Sequence, residues 1–362
     1  MNSLGKDGCL QKVSVYQCIF QISPKKLWSG FYKSMEYRNL GKSEVKVSEM
    51  SLGCWTMGGL NYIEGKSTGW ANVDEAEISQ AIKKAIDQGV NHFDNADVYG
   101  NGRSEQMLAR ILRRLGLKSG DFVIATKVGH NRGDFDHAYD PLNIRHQCEQ
   151  SLRNLDRDYI DIYYLHHGNF GKNNQYLAGA AETLNSLVSE GKVRLKGQSA
   201  YTAAHFKAAI PVVQPTVLQS WAHAMDTQFI EPNGPVGKLL SENELSFVAF
   251  SPLNQGILLD KFDPKNPPQF EDGDHRRGSQ KFSKEKLSSL QPKLAALKNR
   301  FGDTIPDLAS VALRFVLNFP NVCSVIPGFR NVQQVENNIS VVQRKLSAAD
   351  MAFIKSLLLA PG

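Results

Sequence analysis

Cysteines are few, and none is spaced for a structural pair. The 362 residues include five, Cys9, Cys18, Cys54, Cys148 and Cys323, with no CxxC among them. That excludes a disulfide scaffold and a zinc ribbon and fits a reducing compartment, the cytoplasm. No apolar run approaches the ~18 uncharged residues that a membrane helix needs, so no span is expected. Charge of one sign is scarce as well: Lys and Arg outnumber Asp and Glu only 42 to 36. Residues 1–34 hold five Lys against one Asp, so most of that excess lies in one segment. Nucleic-acid binding requires basic side chains gathered on a folded face, and this distribution does not supply them. Glycine-rich phosphate loops are also lacking. Gly65-Lys66-Ser67 ends like a P-loop, but Leu60 occupies the place of its first glycine. Gly100-Asn101-Gly102-Arg103-Ser104-Glu105 lacks the third glycine of a dinucleotide fingerprint.

What the chain does have is 41% apolar and 22% charged residues, enough for a large core. Its patterning starts at Met35. Residues 1–34 contain one short apolar stretch, 13–22, broken by Ser14, Gln17 and Gln21. They read as a disordered N-terminal extension, and 35–362 as one domain. That domain opens with a hairpin, 35–40 and 46–50 around Gly41-Lys42-Ser43. Short apolar strands follow at 50–54, 90–93, 122–126, 160–165, 193–197, 217–219, 247–250 and 322–326. Helices separate most of them. Asp74 reads as the N-cap of one striped by Ile78, Ile82, Ala85 and Ile86. Others are expected at 141–155, 178–190, 284–300 and 307–317. The alternation predicts an α/β fold, a single (β/α)8 TIM barrel with an N-terminal β-hairpin and extra helices. An open doubly wound sheet is the other arrangement it allows.

Barrel enzymes carry their chemistry at the C-terminal ends of the strands. Asp94 ends the second strand, with Tyr99 five residues on; Lys127 follows the third and His166 the fourth. Ser199 follows the fifth and Gln219 ends the sixth. A lysine directly behind Val123-Ile124-Ala125-Thr126 needs a buried partner, and Asp94 is the candidate. Singly, each of these residues is better explained by structure. Together they suit proton transfer to an oxygen, with Tyr99 as acid and Lys127 lowering its pKa. His130, Asp134, Asp136 and His137 carry donor atoms, but around Gly133 they read as a solvated gate, and no metal site is expected.

Phe93-Asp94-Asn95-Ala96-Asp97-Val98-Tyr99-Gly100, followed by Ser104-Glu105, closely resembles the first signature of the aldo-keto reductases. Ala125-Thr126-Lys127 and Asp161-Ile162-Tyr163-Tyr164-Leu165-His166 resemble the next two. Phe250-Ser251-Pro252-Leu253 and Ser324-Val325-Ile326-Pro327-Gly328 are similar to the cofactor segments. Gly53-Cys54-Trp55 and Gly328-Phe329-Arg330-Asn331 with Gln334 are most similar to the bacterial general aldo-keto reductases and the potassium-channel β subunits.

The resemblance implies NADPH-dependent reduction of aldehydes or ketones to alcohols by hydride transfer. It implies Tyr99 as general acid, Asp94 and Lys127 tuning it, and His166 orienting the carbonyl. Trp55 and Asp94 would border the cofactor, Ser199 and Gln219 would hold the nicotinamide carboxamide, and Phe250 would stack on the ring. Ser251, Pro252, Leu253, Gly256, Lys261 and Arg277 would line the pyrophosphate. Gly328, Arg330, Gln334, Asn337 and Asn338 would take the adenosine 2′-phosphate end, where a guanidinium favours NADPH over NADH. Asp274-His275-Arg276-Arg277 would belong to a loop folded over the cofactor. Four departures from the family pattern stand at Ala200, at Asn337, at Phe250 and at the segment His167-Gly168-Asn169. The implied partner is a small carbonyl compound, not nucleic acid or a membrane; monomer and homo-oligomer both stay open. The alternative reading is a nucleotide-binding, redox-sensing regulatory subunit similar to the channel β subunits.

Overall fold

A computed structural model describes residues 35–63 and 65–359; the extension expected at 1–34 lies outside the described residues. The hairpin forms where the sequence puts it, β1 (Tyr37–Asn39) antiparallel to β2 (Lys46–Ser48). After β3 (Leu52–Gly53) comes a second hairpin, β4 (Leu60–Ile63) with β5 (Lys66–Gly69), where the sequence reads as loop. Gly65 turns it at φ +77°, so Gly65-Lys66-Ser67 belongs to a hairpin and its second strand. The chain continues through α1 (Glu75–Asp87), β6 (His92–Asp94), α2 (Arg103–Arg114), β7 (Val123–Val128), α3 (Pro141–Leu155) and β8 (Ile160–Leu165). Then follow α4 (Leu177–Ser189), β9 (Val193–Ser199), α5 (Ala203–Val213), β10 (Val217–Trp221), α6 (Pro235–Glu242) and β11 (Ser246–Phe250). The last elements are α7 (Lys284–Phe301), α8 (Ile305–Leu317), β12 (Val322–Ile326), α9 (Val332–Ile339) and α10 (Ala348–Leu358).

Eight strands, β3 and β6 to β12, hydrogen-bond in chain order, all in parallel. The first and last meet through parallel bridges, Met50 with Val325 and Gly53 with Gly328. At this seam the Ser51 N–H donates to the Val325 carbonyl at 2.9 Å, and Gly53 donates to Pro327 at 3.2 Å. Gly53 allows the approach, since a Cβ there would sit 2.8 Å from Ile326 Cγ2. The sheet is therefore a (β/α)8 barrel and not an open doubly wound sheet. Among the described residues no helix is long and apolar enough to cross a membrane.

Local rules account for the helices. The Asp74 carboxylate accepts from the Ala76 and Glu77 N–H groups at 2.7 and 3.1 Å and starts α1. Ile78 and Ile82 on its inner stripe are fully buried, each contributing about 1.5–3 kcal/mol. Thr304 and Asp307 form a capping box at α8. A buried ion cluster clamps the seam. Arg314 of α8 donates two hydrogen bonds to Glu49, at 2.8 and 2.9 Å, and Arg38 of β1 approaches the same carboxylate at 3.4 Å. Arg314→Met is expected to lower stability by about 3–5 kcal/mol, because it strips a buried charge of its main partner. Urea unfolding checks this; a loss below about 1 kcal/mol would show that Arg38 alone compensates Glu49.

Candidate active site

At the C-terminal mouth of the barrel, the loop after β6 runs along β7. Asn95 and Asp97 donate backbone hydrogen bonds to the Ala125 and Lys127 carbonyls, at 2.8 and 3.2 Å. This brings Tyr99 back over the end of β7. Gly100 makes the turn at φ +60°, where a Cβ would collide with the Gly58 carbonyl. The structure gathers all four predicted catalytic residues, Asp94, Tyr99, Lys127 and His166. Lys127 is 1% exposed, and its ammonium donates to Asp94 Oδ2 at 2.7 Å, to the Asn95 carbonyl at 2.7 Å and to the Tyr99 hydroxyl at 3.3 Å. The second Asp94 oxygen accepts from Gln219 Nε2 at 2.8 Å. The buried pair is thus satisfied on both sides, the condition under which such a pair persists in a core.

His166 hangs from β8, its N–H bonded to the Val128 carbonyl at 2.8 Å. Its ring stands edge-on to Tyr99 at 5.9 Å between centroids and to His130 at 4.5 Å. Burial, aided by His130 and Lys127, holds the imidazole well below its ordinary pKa, so it is neutral. The Tyr99 hydroxyl departs from the sequence expectation. Burial first, and Asp94 second, push its pKa well above the usual value instead of lowering it. The Lys127 ammonium, shared with Asp94 at 2.7 Å, does not outweigh that burial.

Asp94, Tyr99, His130 and His166 line a cavity of about 510 Å³, with Lys127 buried behind them. Its walls include most of the predicted cofactor set: Trp55, Asp94, Gln219, Phe250, Ser251, Pro252, Leu253, Gly256, Lys261, Gly328, Arg330, Gln334, Asn337 and Asn338. Two predicted residues are placed elsewhere. Ser199 stands beside Gln219 in register, buried behind the wall, its Oγ without a hydrogen-bond partner. Arg277 is exposed and pairs with Asp272; its neighbour Arg276 lines the cavity instead. Arg276 is held by Asp274, with Nη2 to Oδ2 at 2.7 Å, and lies 4.4 Å over the Trp70 ring. The one-residue shift follows from the turn around Asp274, whose buried carboxylate selects Arg276.

The sequence gives Trp70 no role, and it places His275 and Arg276 in the loop over the cofactor without singling either out. Trp70 leaves the second hairpin and His275 belongs to the segment between β11 and α7; their rings meet at 4.4 Å, and His275 meets Trp55 at 4.4 Å. The His275 N–H donates to the Gly69 carbonyl at 3.0 Å, joining the two loops. The start of that segment holds five left-handed residues, Ser251, Asn254, Gln255, Gly256 and Asp260. Only one is glycine, so the sequence carried little signal of them. Left-handed residues of this kind turn backbone N–H groups into anion-binding concavities. Of the loop 130–137, His130 lines the cavity whereas His137 stacks on Tyr176 at 4.4 Å. Among the described residues no group of three or more His, Cys, Asp or Glu is placed to hold a metal.

The aldo/keto reductase family pattern matches residues 49–359. This chain belongs to the aldo/keto reductase family. It is an oxidoreductase of that family with 27% identity over 324 residues to a probable voltage-gated potassium channel subunit beta of Arabidopsis thaliana, covering 85% of this chain and 91% of the relative. An aldo-keto reductase of Bacillus subtilis (strain 168) is 27% identical over 331 residues, covering 90% and 94%. Among solved structures, the holo form of an aldo-keto reductase from Bacillus halodurans superposes with a TM-score of 0.71 at 25% identity, covering 90% of this chain and 97% of its own. A glycerol dehydrogenase from Gluconobacter oxydans shares the fold, with a TM-score of 0.73 at 24% identity over 89% and 94% of the two chains.

Proposed function

We propose that this oxidoreductase reduces an aldehyde or ketone to the alcohol with NADPH, Tyr99 serving as the proton donor. The observation that carries the reading is the chain of contacts from Asp94 through Lys127 to the Tyr99 hydroxyl, beside a neutral His166. When bound, the reduced nicotinamide supplies the hydride. Charge then builds on the carbonyl oxygen, and Tyr99 gives up its proton there while Lys127, 3.3 Å away, steadies the phenolate left behind. His166, being neutral, keeps one ring N–H to donate to the same oxygen and hold it in line. Gln219, its Nε2 committed to Asp94, has its Oε1 for a carboxamide, while Ser199, its register neighbour, lies behind the wall.

The residues fit a phosphorylated dinucleotide. Lys261, Arg276 and Arg330 converge on one end of the cavity. Burial, then mutual repulsion with Arg276, lowers the pKa of both Lys261 and Arg330. Arg330 Nε is buried without a partner, and among the described residues neither Lys261 nor Arg330 has a carboxylate in ion-pair range. Such a cluster calls for an anion with more than one negative charge.

NADPH and NADH oxidation, followed by absorbance with a panel of aldehydes, ketones and sugars, tests the proposal in wild type and Arg330→Ala. Wild type is expected to turn over with NADPH. The variant is expected to lose about 1.5–3 kcal/mol of NADPH affinity, the scale of a charged hydrogen bond, with little change for NADH. Equal losses for both nucleotides would remove Arg330 from the 2′-phosphate site. The likeness to the Arabidopsis channel-subunit relative favours a second reading, a nucleotide-holding regulatory subunit. That reading predicts tight NADPH binding with no turnover of any carbonyl in the panel.

A further inference from the structure

Resting on the reductase reading, we infer that the carbonyl substrate is uncharged and that aldehydes and ketones bearing a carboxylate or phosphate are rejected. The lining of the cavity changes electrostatic character across a wall of rings. Trp55, His275 and Trp70 make that wall, with centroids 4.4 Å apart from Trp55 to His275 and 4.4 Å from His275 to Trp70. Behind it stand the cations that line the cavity, Lys261, Arg276 and Arg330; Arg276 and Arg330 lie 4.4 and 5.5 Å over the Trp70 ring. In front of it stand Tyr99, stacked on Trp55 at 5.9 Å, and His166, His130 and Tyr201.

Among the described residues, no side chain lining that front side offers a net positive charge. Lys127 reaches it only through Tyr99 and is cancelled by Asp94 at 2.7 Å. His130 is kept neutral by burial, then by His167 and Lys127, with its pKa near 4. His166 is neutral for the same primary reason. A carboxylate entering here exchanges its water shell for aromatic faces and uncharged imidazoles, with no cation to repay the loss. An uncharged carbonyl compound bears no such cost and gains apolar contact with Trp55 and Tyr201.

The full-length protein tests this with two matched pairs, 4-formylbenzamide against 4-formylbenzoate and methyl 4-oxobutanoate against 4-oxobutanoate. In both pairs kcat/KM for the uncharged member is expected to exceed that of the anion by about 30-fold or more, the order expected for an unpaired desolvated charge. Rates within about threefold of each other in both pairs would overturn the inference, since desolvation would then cost almost nothing. Tyr201→Lys adds a cation at the rim, where the side chain is 42% exposed and stacks on Trp221. It is expected to narrow both gaps by about tenfold; gaps that stay unchanged would mean shape, not charge, sets the preference, and would also overturn it. A binding measurement separates this inference from the reaction it rests on. Calorimetry with the NADPH-loaded protein compares 4-(hydroxymethyl)benzamide with 4-(hydroxymethyl)benzoate, two alcohols that NADPH cannot reduce. A protein inert towards every aldehyde ends the reductase reading. Tighter binding of the uncharged alcohol still upholds the charge preference, and equal or tighter binding of the carboxylate ends it.

Discussion

Tyr99→Phe is expected to lower kcat for carbonyl reduction by about 10²–10⁴-fold, the usual worth of a positioned general acid. The substitution removes one oxygen and keeps the ring that stacks on Trp55 at 5.9 Å. Folding and NADPH affinity should therefore stay near wild type, and kcat and kcat/KM should fall together, because the proton is given only in the transition state. The pH profile follows from the same environment. The acid is active while protonated, so activity is lost as pH rises through its pKa. Burial, then Asp94, Tyr201, Cys54 and Asp97 all raise that pKa well above its ordinary value. His166, held far below its ordinary value, stays neutral above mild acid. Wild-type reduction should thus be flat from about pH 6 to 9. A fall with a midpoint inside that range would restore the lowered tyrosine pKa that the sequence alone leads one to expect. A Tyr99→Phe enzyme as fast as wild type would end the mechanism.

The second large effect is expected at Lys127. Lys127→Met removes the ammonium 2.7 Å from Asp94 and 3.3 Å from the Tyr99 hydroxyl. Asp94 keeps only Gln219 as a side-chain donor, and breaking a buried pair on one side costs about 3–5 kcal/mol of stability. The developing phenolate also loses its nearby cation, worth about 10²–10³-fold in rate by analogy with other removed transition-state donors. Adding Asp94→Asn separates the two effects. The double variant should regain stability in urea unfolding but not rate. If rate returns as well, Lys127 serves only to neutralise Asp94.

Much of this architecture is legible because barrel strands are buried on both faces and read as unbroken apolar runs. Val123-Ile124-Ala125-Thr126 announces β7, and the lysine behind it announces a buried partner. The second hairpin is silent by the same logic. Its strands, Leu-Asn-Tyr-Ile and Lys-Ser-Thr-Gly, lie over the barrel mouth with one buried residue each, so no apolar run marks them. The choice of Arg276 over Arg277 was also illegible. It depends on which guanidinium the buried Asp274 can reach, a matter of turn geometry in a segment without periodicity. The direction of the Tyr99 shift was misread for a related reason: sequence pairs Lys127 with Asp94, but does not show how completely the fold buries the Tyr99 hydroxyl.

The seam between β3 and β12 has a consequence for how the molecule is made. Every other neighbouring pair of barrel strands is adjacent in chain order, so those pairs can form as the polypeptide leaves the ribosome. Ser51 and Gly53 have no such option, because their partners, Val325 and Pro327, each follow 274 residues later in the chain. The entropy of closing a loop spanning most of the domain falls on a two-residue strand and on the Glu49–Arg314 clamp beside it. Gly328 and Arg330 follow directly on that closure. A nascent chain can therefore complete the part of the cavity wall that carries Gly328 and Arg330 only after that long-range closure.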